Sequence, residues 1–189
     1  MVLMRDIYNQ RWGKPIEYMV PTPQAFGQIA SDLCEKALRD AKEQLHPLLR
    51  NAELNRLDQR PEFLKTFKRS LEQRIARRLA AWDPGVEAVF RFDETRTKPP
   101  EFWDGSIHLL AKVPRLSDTL RILGRRLDRS LMKYLKQLNW SRFQRHQSIL
   151  DVQQVTLSEL RHGIGYGAMF YAVYTAPVKV WPQDKKHRS

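Results

Sequence analysis

At Asp83-Pro84-Gly85 the spacing of apolar residues changes from three and four to two. Upstream, Leu64, Phe67, Leu71, Ile75, Leu79 and Trp82 recur at helical steps behind Pro61. Downstream, Val86, Ala88, Phe90 and Phe92 alternate with Glu87, Val89, Arg91 and Asp93, which is the pattern of a strand. A helical stripe and a two-residue face share one core only when helices pack against a sheet, so the fold class read from this switch is α+β.

The rest of the chain extends that reading. Residues 1–21 are expected to be extended, because Pro15 and Pro21 forbid a continuous helix there. Thr22-Pro23 reads as an N-cap followed by proline at the first helical position. Phe26, Ile29, Ala30, Leu33, Ala37, Ala41, Leu45 and Leu48 then follow at helical spacing, and the helix ends near Pro47. A polar connector runs from Asn51 to Arg60. A second strand is read where Ile107, Leu109, Ala111 and Val113 alternate with Ser106, His108, Leu110 and Lys112, joined to the first by a long connection from Glu94 to Gly105. A third helix spans about Leu116 to Asn139, with Ser117 as its cap. Ile149 to Leu157 reads as a third strand, Glu159 to Gly163 as a turn, and Tyr166 to Tyr174 as a fourth strand. The expected order is α-α-β-β-α-β-β. Strand pairs joined by hairpins imply a mainly antiparallel sheet with helices on one face. Residues 22–182 are read as a single domain, and residues 183–189 as a polar basic tail carrying Lys185, Lys186 and Arg188.

The third helix is the most specific functional signal. At about 100° per residue, Leu116, Leu120, Leu123, Leu127, Leu131, Tyr134 and Leu138 fall within about 80° of one another. Arg121, Arg125, Arg126, Arg129, Lys133 and Lys136 take the opposite arc, interrupted only by Asp118 and Asp128. The connector that follows carries Arg142 and Arg145, interleaved with Trp140, Phe143 and His146. Ten basic and two acidic residues lie between Lys112 and His146, two thirds of the chain's net charge of +12. Like charges at 121/125, 125/129 and 129/133 repel by a few tenths of a kcal/mol per pair. A surface helix normally avoids that repulsion by mixing signs, so a polyanionic partner is the expected reason for it. Arginine suits phosphate oxygens, and Trp140 and Phe143 are read as stacking surfaces for unpaired bases. On that ground RNA is the expected partner. An acidic protein docked on the same ridge is the alternative.

Other signals define what the chain lacks. The single cysteine, Cys34, allows no internal disulfide and fits a reducing, cytoplasmic setting. No signal-peptide core or membrane-length apolar run is read. His162-Gly163-Ile164-Gly165-Tyr166-Gly167 precedes what reads as a strand, whereas a dinucleotide-binding loop must open a helix, so that chemistry is excluded. Close backbone approach or a bend is the expected use of those glycines. No motif for a cofactor, a metal or a covalent nucleophile is present, so no catalytic residue is assigned. His108 or His162 would serve a metal-independent RNA-cleaving enzyme, the remaining alternative.

Overall fold

The computed structural model describes residues 21–45, 54–92, 105–172 and 176–182. Residues 1–20 of the N-terminal segment expected to be extended, and the basic tail, lie outside these residues.

Three long helices carry most of the core. Helix α1 spans Pro23–Gln44, and its cap Thr22 accepts a hydrogen bond from the Ala25 amide at 3.2 Å. Its buried stripe is made largely of small side chains, Ala30, Cys34, Ala37 and Ala41, which lets neighbouring helices approach its backbone closely. Burial pushes the Cys34 thiol far above its ordinary range, so it is inert as a nucleophile. Helix α2 spans Pro61–Trp82 and buries residues around most of its circumference, because it lies between α1 and the sheet. Helix α3 spans Asp118–Gln137 and packs on both α1 and the sheet.

Strands β1 (Ala88–Arg91), β2 (Ile107–Val113), β3 (Leu150–Thr156) and β4 (Val178–Trp181) form one sheet in the order β3-β2-β1-β4. Strand β1 pairs antiparallel with β2 and, through a bulge at Val89/Phe90, with β4. Strands β2 and β3 pair in parallel from Ile107↔Leu150 to Val113↔Thr156. The sheet is therefore mixed. The expectation of hairpin-joined strands overlooks that α3 separates β2 from β3, and a helical crossover brings adjacent strands side by side in parallel.

The alternation of side chains sorts the two faces. Val89, Ile107, Leu109, Ala111, Val113 and Leu150 join the core beneath the long helices. Ala88, Leu110 and Val155 are buried outside that cluster, and the Phe90 ring meets Phe170 edge to face at 4.8 Å. The segment around Phe170 thus covers part of the second face.

That segment corrects the fourth-strand expectation. Residues Gly165–Tyr171 form a 3-10 helix, not a strand, and the fourth strand is Val178–Trp181. The expected turn before it is a short helix, α5 (Leu157–His162), which follows the four-residue α4 (Ser141–Gln144) and begins directly after β3. Thr156 and Glu159 cap each other at its start, and Gly163 ends it at φ 61°. The chain then folds back on α5 so tightly that a Cβ on Gly167 would lie 2.1 Å from the Glu159 carbonyl oxygen. The Tyr171 hydroxyl completes the fold by donating to the Leu160 carbonyl at 2.8 Å. Close approach is what these glycines supply. Pro177 lies just before β4, an edge strand, where proline is tolerated.

Helices α1 and α2 are tied by one polar cluster. Asp40 accepts hydrogen bonds from the Ser70 hydroxyl and, at 2.6 Å, from Arg74 Nη2. Burial raises this carboxyl, but the bonds from Ser70 and Arg74, with the charges of Arg74 and Arg39, outweigh that and hold it below its ordinary value of 3.8. A carboxyl lowered in the fold contributes stability that is present above its unfolded pKa and lost as pH falls through its folded pKa. Asp40→Asn should therefore be less stable than the native chain near neutral pH, and the gap should close below about pH 4. Urea midpoints of both proteins across that range measure it, and a gap independent of pH would assign the stabilisation to something other than the carboxylate.

A candidate polyanion-binding ridge on helix α3

Helix α3 is fastened to the sheet at its N-terminus and at its middle. At its N-terminus the Ser117 hydroxyl accepts from the Leu120 amide at 3.1 Å and donates to Asp83 Oδ2 at 2.8 Å. The Ser117 amide donates to Gln154 Oε1 at 2.7 Å, and Gln154 Nε2 donates back to the Ser117 carbonyl at 2.8 Å. Farther along, Asp128 Oδ1 accepts from the amides of Ile149 and Leu150, both at 2.9 Å, where β3 begins. Between these anchors, a Cβ on Gly124 would lie 3.2 Å from Val152, so the helix rests closely on β3. Leu120, Leu123, Leu127, Leu131, Met132 and Leu135 are buried beneath it. Leu116 is not part of this face. It precedes the helix and is 69% exposed.

The opposite side of α3 is cationic and open. Arg121, Arg125, Arg126, Arg129, Lys133 and Lys136 are all exposed. Arg121 pairs with Asp118 of its own first turn at 2.8 Å. Among the described residues no carboxylate forms an ion pair with Arg125, Arg126, Arg129, Lys133 or Lys136. The other acidic side chain on the helix, Asp128, is committed to the amides at the start of β3. Five uncompensated cations therefore lie on one rigid element.

The connector departs from its expected role. Trp140 and Phe143 are only 2% and 1% exposed, so neither ring offers a face to a base. Trp140 meets the rings of Phe63 and Phe67 edge to face at 5.9 and 5.4 Å and stacks on Phe143 at 5.7 Å. The physical reason is the end of α3. Asn139 adopts a left-handed conformation at φ 55°, which turns the chain back so that the next residue packs inward. An asparagine followed by a large apolar residue after a helix is the sequence signal for this, and it outranks the alternation with arginine. Buried Asp58 holds the start of α4, accepting from the Arg142 amide at 2.9 Å and from the Ser141 hydroxyl at 3.3 Å. Arg142 is half-buried and engaged elsewhere, whereas Arg145 is exposed.

The two histidines considered for RNA cleavage have separate surroundings. His108 on β2 lies opposite Asp151 on β3, with Nδ1 3.7 Å from Oδ2, and both side chains are half exposed. His108 draws the Asp151 carboxyl below its ordinary range, aided by Gln153 and opposed by burial. His162 Nδ1 is instead 2.8 Å from the Ser158 carbonyl oxygen. An open cleft elsewhere is lined by Arg69, Gln73, Arg91, Lys179 and two valines, and its cations all have partners of their own. Among the described residues no helix is long and apolar enough to cross a membrane. Comparison with protein-family models, with curated proteins and with solved structures returns no match for this chain.

Proposed function

We propose that this is a nucleic-acid-binding domain that grips phosphates through the exposed ridge of α3. The observation that carries the reading is the set of five exposed cations, Arg125, Arg126, Arg129, Lys133 and Lys136, with no ion-pair partner among the described residues. Left unpaired, they repel one another, and a polyanion relieves that repulsion while releasing its own counterions. The preference for RNA drawn from Trp140 and Phe143 loses its basis, because those rings are in the core. What remains is recognition of the backbone, with Arg145 and the paired Arg121 as further contacts.

Changing Arg125, Arg129 and Lys133 together to Glu is the test. All three are exposed, so the fold should survive, as circular dichroism and the melting temperature will register. Affinity for labelled nucleic acid should fall at least a hundredfold, and the slope of log K against log salt should shrink by about 3. Undiminished binding would remove α3 from the reading. Polyglutamate serves as the control for an acidic protein partner. If it binds as tightly as nucleic acid of equal charge, the ridge is a docking site for acidic chains instead.

A further inference from the structure

We infer that the ridge takes duplex nucleic acid, held by phosphates of both strands, and not a single strand. This rests on the phosphate-gripping reading of α3 above and names its substrate class.

Three observations carry it. The first is the arrangement of charge. On the helical wheel Arg125, Arg129 and Lys136 lie within about 40° of one another, and Arg126 with Lys133 forms a second row roughly 40–100° away. The cations thus straddle the crest of the helix. A single strand offers one row of phosphates, whereas a duplex offers two rows flanking a groove, and the major groove of B-form DNA is about 12 Å wide, the width of a helix with its side chains.

The second is charge density. From Arg125 to Lys136 the helix rises about 16 Å. Over that length a duplex carries roughly ten phosphate charges and one stacked strand about five. Each contact on a duplex also releases more counterion, with slopes of about −0.9 per phosphate against about −0.7 on a single strand.

The third is that, among the described residues, no exposed Phe, Trp or Tyr ring lies beside the ridge. Proteins that hold single strands add base stacking to charge. Here Trp140 and Phe143 are buried, and Tyr134 is packed against the core. The exposed tyrosines among the described residues, Tyr166 and Tyr171, belong to the 3-10 segment on the other face of the sheet. Nothing on α3 compensates a single strand for its weaker electrostatic attraction.

The experiment uses the full chain and probes of equal length, about two helical turns: a DNA duplex, an RNA duplex and the corresponding single strands. With five contacts, the difference in slopes alone predicts that a duplex binds about tenfold more tightly than a single strand near 0.1 M salt, a ratio that shrinks as salt rises. The two duplexes together show whether B-form or A-form geometry is preferred. Single strands that bind as tightly as duplexes would overturn the inference while leaving the phosphate-gripping reading in place. Failure of every probe to bind would overturn both. Tyr166→Ala with Tyr171→Ala should leave all affinities unchanged, and a loss confined to single strands would move the site to the tyrosine patch.

Discussion

Glu72→Ala should cost this fold about 3–5 kcal/mol, a large share of the 5–15 kcal/mol by which domains are ordinarily stable. Glu72 projects from α2 and is 1% exposed. Its Oε2 meets Arg91 Nη1 on β1 at 3.2 Å, and the arginine side chain is 13% exposed. Position 91 lies opposite Leu109 in β2, so its side chain points to the helix-covered face of the sheet. The pair therefore joins α2 to β1 at the edge of the open cleft that Arg91 lines. Truncating the glutamate removes a carboxylate partner from a guanidinium that is mostly withdrawn from water, and that desolvation dominates the loss. The prediction is specific because the intact pair need not be strongly stabilising in itself. Replacing both partners with apolar residues, Glu72→Leu with Arg91→Met, should recover most of what either single change loses. Urea unfolding at neutral pH reads all of these variants, and the single changes should lower the midpoint by more than about 1 M. A double variant no better than the worse single one would mean that the other interactions of these residues matter more than the charge of the pair.

Much of this architecture is legible in the sequence, for reasons that are local. Thr22-Pro23 and Ser117 mark helix starts because a side-chain oxygen must satisfy an amide there, and both do so. The alternation at Ile107–Val113 marks a strand because Ile107, Leu109, Ala111 and Val113 are all buried on one face, whereas burial along Ala88–Arg91 and Leu150–Thr156 does not alternate. What local pattern does not specify is partnership. Nothing in the residues of β2 and β3 declares them parallel. That follows from the length of α3 between them. The Gly165–Tyr171 segment has the apolar content of a strand, yet its burial comes from packing on α5 and Phe90, which no periodicity encodes. The cationic arc of α3 is legible because a 3.6-residue repeat separates it from the leucine stripe. The connector is not, because the left-handed Asn139 resets the direction in which Trp140 and Phe143 point.

That reset yields the second large prediction. Trp140→Ala should destabilise the chain by about 3–5 kcal/mol, the cost of removing a large aromatic from a filled core. Trp140 touches Phe63, Phe67 and Phe143, so the hole opens against α2 and α4 at once. Phe143 offers little room to close it. Its ring already presses on the start of β2, where a Cβ on Gly105 would lie 2.6 Å from Phe143 Cε1 and where Gly105 itself has φ 83°. Collapse is therefore limited, and the cost should lie toward the upper part of that range. At temperatures well below the midpoint, however, nucleic-acid affinity and its salt dependence should be those of the native chain, since the indole does not reach solvent. Arg129→Ala should behave in the opposite way. That side chain is exposed and unpaired among the described residues, so the melting temperature should hardly move while the salt slope shrinks by about 1. Measuring both quantities on both variants separates a residue that builds the domain from one that meets its partner. Should Trp140→Ala instead lose affinity tenfold with its melting temperature unmoved, the indole would have to leave the core to stack on a base, and the two roles would need to be exchanged.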